Sequence, residues 1–310
     1  MYRISGNGLS KPSYLMGSIH LQDARLFNFQ DSMYAGIDRC EVFAIEVHPD
    51  STVQRVMEKS LKDNKRRLLK QQLSEREIAQ LKKMDKDLEN DLIENLTLPE
   101  LIELKRTRFA NRNGVDKMPV FMDIFLYGLA MEKGKALTGL EQPEDQLGLF
   151  DSIWVDTNPV DLIKSWGKNY KSFTSLVDYY LKSDLQAVSK MVSLMPEKTE
   201  ELMLTRRNKV MLNSMVQIMQ EKSLFSVVGA AHLPGGNGLL QMLRQKGYEV
   251  TPIIGGPRTH ARQYKRSAAP AIFSSKEEWH KVKSEEDGFA FEMPGKPVEN
   301  EVELTGNKLY

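Results

Sequence analysis

Residues 225–254, FSVVGAAHLPGGNGLLQMLRQKGYEVTPII, alternate a short apolar run, a glycine-rich break, an apolar stripe and a second apolar run. Phe225–Val228 has the length and the β-branched content of a strand buried on both faces, as parallel strands are. Pro234-Gly-Gly-Asn-Gly238 breaks the chain before a helix of about eight residues, Gly247 stops that helix, and Tyr248–Ile254 returns as a strand. Strand, loop, helix, strand is the grammar of an α/β sheet. Ligands of such sheets sit outside the carboxyl ends of the strands, and His232 of Gly229-Ala-Ala-His232 falls there. A second apolar run, Tyr14-Leu-Met-Gly17, ends in Gly17-Ser-Ile-His20. One Gly-x-x-His motif says little, because a strand-end histidine commonly has a structural role. Two of them in the same context, in a chain with five histidines, point to a shared site.

Two further strands end in acids. Val42-Phe-Ala-Ile-Glu46-Val is apolar up to Glu46, and Lys135–Glu141 closes on Gly139-Leu-Glu141. An acid at the end of a buried strand must be paired, protonated or metal-bound unless the strand end is solvated. For Glu141 the plainer alternative is a partner at the N-terminus of the helix that Gln142-Pro-Glu-Asp begins. The helix expected from Pro196 to about Lys222 carries an apolar stripe, Leu204, Met211, Met215 and Ile218, and Asn208 lies in it with Arg207 beside it. A polar side chain on a core face needs a partner, so this pair is expected to reach the functional end of the sheet, unless the position is half-exposed. His48 reads as a rim residue, His260 and His280 as outside the site, and Ser18 as a poor nucleophile, since no Gly-x-Ser-x-Gly elbow is present.

Composition narrows the classes. At 41% hydrophobic and 27% charged, with a net charge of +1, the chain shows no basic footprint for nucleic acid. No apolar run approaches the ~18 residues of a membrane span. The first residues lack the charged and apolar regions of a signal peptide. Cys40 is the only cysteine, which excludes an internal disulfide and cysteine-rich zinc sites and suits a buried thiol. These residues do not fix a compartment.

Along the chain, strands are expected at 14–19 and 42–47, with an amphipathic segment at 27–39 between them. Residues 51–118 are polar and helical, with capping boxes at Ser74–Glu77 and Thr97–Glu100, and read as a helical insertion. A more apolar helix at 120–132 has Asp123 in its first turn, and 159–193 holds one or two amphipathic helices. Trp154, Trp166, Tyr170, Tyr179 and Tyr180 read as packing. The expected organisation is one α/β domain over 1–258, followed by a 259–310 tail that reads as an appended β-rich piece or the opening of a further domain.

The strand-end set His20, Glu46, Glu141 and His232 suits a divalent transition metal such as Mn²⁺, Co²⁺ or Zn²⁺, which with an open position would support hydrolysis. Arg207 would then stabilise an oxyanion or fix a substrate carboxylate. Two alternatives stay open: metal-free catalysis by a His–Glu pair, and a binding protein that holds a metal, haem or small ligand without turnover.

The blocks YLMGSIHLQD, VFAIEV, MDIFLYGLAMEKGKALTGLEQPEDQL, RRNKVM and VVGAAHLPGGNGLLQMLRQKGYEV together resemble the TraB/GumN family, which includes the TIKI proteases. The resemblance implies an erythromycin esterase (EreA)/ChaN-like fold: α/β, with a mixed or mostly parallel central sheet and helices on both faces. It also implies a metal-dependent catalytic set at His20, Glu46, Glu141 and His232, with Arg207 and Asn208 as the helix pair and Asp123 as a further acidic position. The implied activity is that of a metalloprotease-like hydrolase on a peptide or small-molecule substrate. His48 departs from the acidic residue that members often carry shortly after the strand-2 glutamate. Many bacterial members carry an export signal, so the resemblance implies an exported or periplasmic protein if this sequence is a piece of a longer one.

Overall fold

The computed structural model describes residues 1–49, 51, 68–84, 90–97, 100–101, 104, 116–146, 177–193 and 197–263, and the strand segments 279–284, 289–294, 302–304 and 307–309. In chain order these form β1 Tyr2–Ser5, β2 Ser13–Ser18, β3 Asn28–Gln30, α1 Asp31–Arg39, β4 Val42–Val47, α2 Leu69–Gln72, α3 Glu75–Met84, α4 Asn90–Asn95, α5 Met122–Glu132, β5 Ala136–Glu141, α6 Leu185–Val192 and α7 Glu197–Glu200. A π-helical turn, Glu201–Thr205, runs into α8 Arg206–Glu221, followed by β6 Leu224–Gly229, α9 Leu239–Gln245, β7 Glu249–Pro252 and β8 Arg258–His260.

Six strands make one sheet in the order β5-β4-β6-β2-β1-β7. The pairs β5–β4, β4–β6 and β6–β2 are parallel, while β1 is antiparallel to both of its neighbours. The α/β expectation of a mixed, mostly parallel sheet holds. Strand alternation splits the buried residues between two layers. Tyr14, Met16, Phe43, Ile45, Phe225 and Val227 meet α1 and α5 on one face. Leu15, Val42, Ala44, Leu224 and Val228 meet α8 and α9 on the other.

Register across the three inner strands is marked by an aromatic ladder. Tyr14 and Phe43 are both paired with Phe225, and the rings stack at 6.1 and 5.7 Å. Gly36 lets α1 lie directly on this ladder, since a Cβ there would come within 2.9 Å of the Phe225 ring.

Several boundaries differ from the sequence expectation. The 27–39 segment divides into a 3₁₀ turn at Ala24–Phe27, β3 and α1; the Asp23 carboxylate caps the turn by accepting from the Arg25 N–H at 3.0 Å. β1 was not expected, and β7 is shorter than 248–254. β8 pairs with β3, and Ala261 is buried in the core layer of α1 and α5, so the packed body runs past residue 258. Of the 51–118 insertion, α2, α3 and α4 gather around Leu69, Leu81, Ile93 and Leu101, while Met118 joins the core layer of α1 and α5. Both capping boxes form: Ser74 N–H donates to Glu77 at 2.9 Å and Thr97 N–H to Glu100 at 2.7 Å. Trp154, Trp166 and Tyr170 lie outside the described residues. Beyond the body, β9 Trp279–Ser284 pairs with β10 Phe289–Pro294, and β11 Val302–Leu304 with β12 Asn307–Leu309.

Phe225→Ala is expected to destabilise the protein by about 3–5 kcal/mol, because it removes a fully buried ring on which two other rings and α1 rest. Phe225→Leu should cost far less. Equal urea midpoints for wild type and Phe225→Ala would show that the ladder does not hold the sheet.

Candidate active site

Four adjacent strands, β5, β4, β6 and β2, run parallel and end side by side. Their carboxyl ends present Glu141, Glu46, the 3₁₀ turn Ala230–His232, and His20, two residues beyond β2. The helix α8 supplies Arg207 and Asn208 from the opposite layer.

Arg207 lies between the two glutamates. Its Nε donates to both Glu141 oxygens at 3.1 and 3.0 Å, and its Nη2 donates to Glu46 Oε2 at 2.6 Å and to Glu141 Oε1. Nη1 donates to the Met203 carbonyl in the π-helical turn at 3.3 Å. Gln146 closes the group, its amide donating to Glu46 Oε2 at 3.1 Å and to Glu141 Oε1 at 2.8 Å. Glu46, Glu141 and Arg207 are all buried, and none of these charges could be desolvated there alone. Glu141 therefore neither caps the following helix nor joins the histidines. Gln142 N–H turns to Asp145 at 3.3 Å instead, and among the described ion pairs Glu141 pairs with Arg207 alone.

The other Glu46 oxygen faces the histidines. Oε1 accepts from Gly229 N–H at 2.6 Å and stands 3.8 Å from His20 Nε2 and 3.7 Å from His232 Nε2. Both rings are fixed from behind. His20 Nδ1 is 3.2 Å from Asp123 Oδ2, and His232 Nδ1 is 2.7 Å from Asn208 Oδ1. Asn208 Nδ2 donates to the Asn237 carbonyl at 2.7 Å, so its Oδ1 is the atom left for the ring. His232 must then carry its proton on Nδ1 and present a bare Nε2. Two acceptors, that nitrogen and a carboxylate oxygen, thus face each other across 3.7 Å.

Gly229 keeps the space between them open. A Cβ at this position would lie 3.2 Å from Glu46 Oε1, 3.6 Å from His20 Nε2 and 3.6 Å from His232 Cδ2. The trio is not a closed cage: among the described residues no three His, Cys, Asp or Glu groups are drawn together tightly enough to hold an ion as they stand.

The electrostatics follow from burial and neighbours. Burial holds His232 neutral, its pKa lowered to about 4, with the Glu46 charge opposing that shift. His20 is pushed the other way, to about 10, by the nearby carboxylates of Asp123 and then of Glu46. Its side chain is 53% exposed, so water screens those pairs and they add little to stability. Burial alone would raise the Glu46 carboxyl, but His20, His232 and Arg207 outweigh it and hold it below the usual carboxylate range. Burial raises Glu141 despite the Arg207 donors.

His48 packs away from the trio, its Nε2 2.9 Å from the Tyr127 hydroxyl. His260 Nε2 contacts the Ala24 carbonyl at 2.9 Å, a structural role. Ser18 is 1% exposed, and its Oγ has no hydrogen-bond partner, as is also true of Asp123 Oδ1. Sequence reasoning missed Gln146, which sits in an ordinary-looking polar helical turn, and the Gly229 amide, which carries no side-chain signal. The clue to Gln146 was its place five residues after Glu141, one helical turn into the helix that follows the strand.

A mostly parallel α/β sheet with a buried acid–base cluster at its carboxyl edge is the class of protein defined here. The sequence model of the TraB/PrgY/gumN family matches residues 1–252, and the chain belongs to that family. It is also similar to Metalloprotease TIKI1 of Danio rerio, with 38% identity over 69 residues, 21% of this chain and 14% of that protein. The match thus spans a small part of that relative. No solved structure matches the chain.

Arg207→Met is expected to destabilise the fold by about 3–5 kcal/mol at neutral pH, since it strands two buried carboxylates. A loss below about 1 kcal/mol in urea titration would show that both acids shed their charge without cost. His232 gives a pH signature in chelated protein. The unfolded chain takes up a proton near the ordinary value of about 6.5, whereas the folded ring waits until about pH 4. The unfolded state therefore binds more protons in that window, and stability falls as pH drops through it. His232→Asn should flatten this part of the stability–pH curve. Parallel curves for the two proteins would contradict the assignment.

Proposed function

We propose that this protein is a metal-dependent hydrolase of peptide bonds, with His20, Glu46 and His232 as the metal-binding side chains. The observation that carries the proposal is the convergence of two imidazole Nε2 atoms on one carboxylate oxygen, each ring held at Nδ1 by a second group. Ring nitrogens of metal-ligating histidines are oriented by such partners as a rule. A bare Nε2 facing a carboxylate needs a proton or a cation between them, and the glycine at 229 leaves the room. Tetrahedral N/O donors at about 2.0–2.2 Å from a metal stand roughly 3.3–3.6 Å apart. The observed 3.7 and 3.8 Å exceed this by a few tenths of an ångström. The donor set suits Zn²⁺, Mn²⁺ or Co²⁺. Similarity to a metalloprotease, although it covers a small part of that protein, agrees with this reading.

A bound divalent metal would supply an acidified water and a polarised carbonyl. The chain's own residues do the rest. Asn208 fixes the His232 ring and its tautomer, and Asp123 holds His20 at Nδ1, a ring that would release its Nε2 proton on binding a metal. Arg207 keeps Glu46 ionised and pinned by its Oε2, leaving Oε1 toward the histidines. Asp123 Oδ1 is a buried oxygen without a partner; a donor from water or substrate would satisfy it. Glu141, first considered as a ligand, serves in this reading as the second anchor of Arg207.

The test is metal content by mass spectrometry together with peptide hydrolysis, on protein purified without chelator or nickel resin. Wild type should hold about one equivalent of transition metal and cleave peptides. His20→Ala/His232→Ala should lose both with its circular dichroism unchanged. Asn208→Ala should weaken metal affinity by about 10–100-fold. Metal bound in full by the double variant, or peptide cleavage that survives exhaustive chelation, would overturn the proposal. Stoichiometric metal without hydrolysis of any peptide or ester would favour the non-catalytic binding alternative.

A further inference from the structure

Against the two Gly-x-x-His segments lies a cavity of about 510 Å³, within the span of about 300–1,000 Å³ typical of small-molecule sites. It occupies the same carboxyl edge of the sheet. Gly17 and Ala230 line it, one from each Gly-x-x-His segment, together with the first residues of β1 and the loop that leaves β7. Its floor is core: Met16, Leu26, Phe29, Met33 and Leu233 are all buried. Tyr180 braces the wall by donating to the Gly17 carbonyl at 2.7 Å. The lip carries Ile254, 85% exposed, followed by Gly255 and Gly256 at positive φ with nothing packed against them.

We propose that this cavity is the subsite for a large apolar side chain of the peptide substrate, adjoining the bond that is cut; the inference rests on the hydrolase reading above. Adjacency supplies the first reason, because Gly17 and Ala230 belong to the short segments that end in His20 and His232. The lining supplies the second. Two buried methionines on the floor adapt to Leu, Met or Phe side chains of different shape, while the charged groups of the lining, Lys182, Asp184 and Arg258, stand exposed at the rim. The volume exceeds one side chain, so adjoining backbone enters too, and Asn28, Gln30 and Arg258 at the wall offer it polar groups. Ile254 is the exposed apolar surface that such a side chain would cover.

The test separates binding from catalysis. Chelated protein carrying ¹³C-methyl methionine, with the Met16 and Met33 signals assigned through Met16→Leu and Met33→Leu, is titrated with a blocked Leu-Phe dipeptide and with a blocked Asp-Lys dipeptide. Both methyl signals should shift with Leu-Phe and stay in place with Asp-Lys. Leu185→Trp, which narrows the cavity from its partly buried wall, should abolish the shifts. Ile254→Asp, an exposed change that spares the fold, should weaken them. In metal-loaded protein, Leu185→Trp should lower kcat/KM for peptides with Leu or Phe beside the cleaved bond by about tenfold at unchanged metal content. No methyl shift with Leu-Phe, or equal shifts with both dipeptides, overturns the subsite whether or not the protein cleaves peptides. Selective shifts in a protein that hydrolyses nothing would instead overturn the hydrolase reading and leave an apolar peptide site standing.

Discussion

Everything at the carboxyl edge of this sheet depends on the carboxylate of Glu46. One oxygen takes Arg207 and Gln146, and the other takes the Gly229 amide and faces both histidines. The backbone ladder between β4 and β6 ends at Ile45↔Val227. Beyond that point the strands are stitched by a side chain, with Glu46 supplying the acceptor that the next backbone carbonyl would have given. A buried carboxylate in this position requires a cation nearby, which Arg207 provides, and a second acid, Glu141, to balance and orient that cation in turn. The cluster is thus a chain of mutual requirements. Removing one member leaves its neighbours charged, buried and without partners.

The chemistry-bearing side chains were legible because each breaks a local rule. Glu46 ends an apolar strand, Asn208 interrupts an apolar helical stripe, and the histidines follow glycines where a sheet opens to solvent. Sequence periodicity exposes such conflicts directly. It does not say how the conflicting residues pair. Glu141 read as a strand-end ligand or as a cap of the following helix, and its pairing with Arg207 shows only once α8 lies over β5 and β4. The strands β1, β3 and β8 were illegible for another reason: at three or four residues each they carry too little alternation to stand out. Gln146 and Asp123 gave weak signals, since a polar residue on a helix is ordinary until its neighbour is known.

Two layers of control surround the trio. The buried layer, formed by Arg207, Glu141, Gln146 and Asn208, lies under the sheet edge and sets the charge of Glu46 and the tautomer of His232. The outer layer is His20 with Asp123, more open to water. The cavity is bordered by the same glycine-containing segments that carry the histidines.

The strand order has a consequence for how the protein comes into being. β6 lies between β2 and β4, yet it is made long after both. Until Leu224–Gly229 leaves the ribosome, β2 and β4 have open facing edges and no partner to join them. Such edges are slow to be satisfied and prone to pair wrongly. Two ring contacts that seat the sheet's middle, and the close approach of α1 at Gly36, converge on Phe225, so they too wait for this strand. The same delay keeps Glu46 and His20 apart from Gly229 and His232 throughout synthesis of the chain between them. The cluster of His20, Glu46, Gly229 and His232 therefore assembles in one late step.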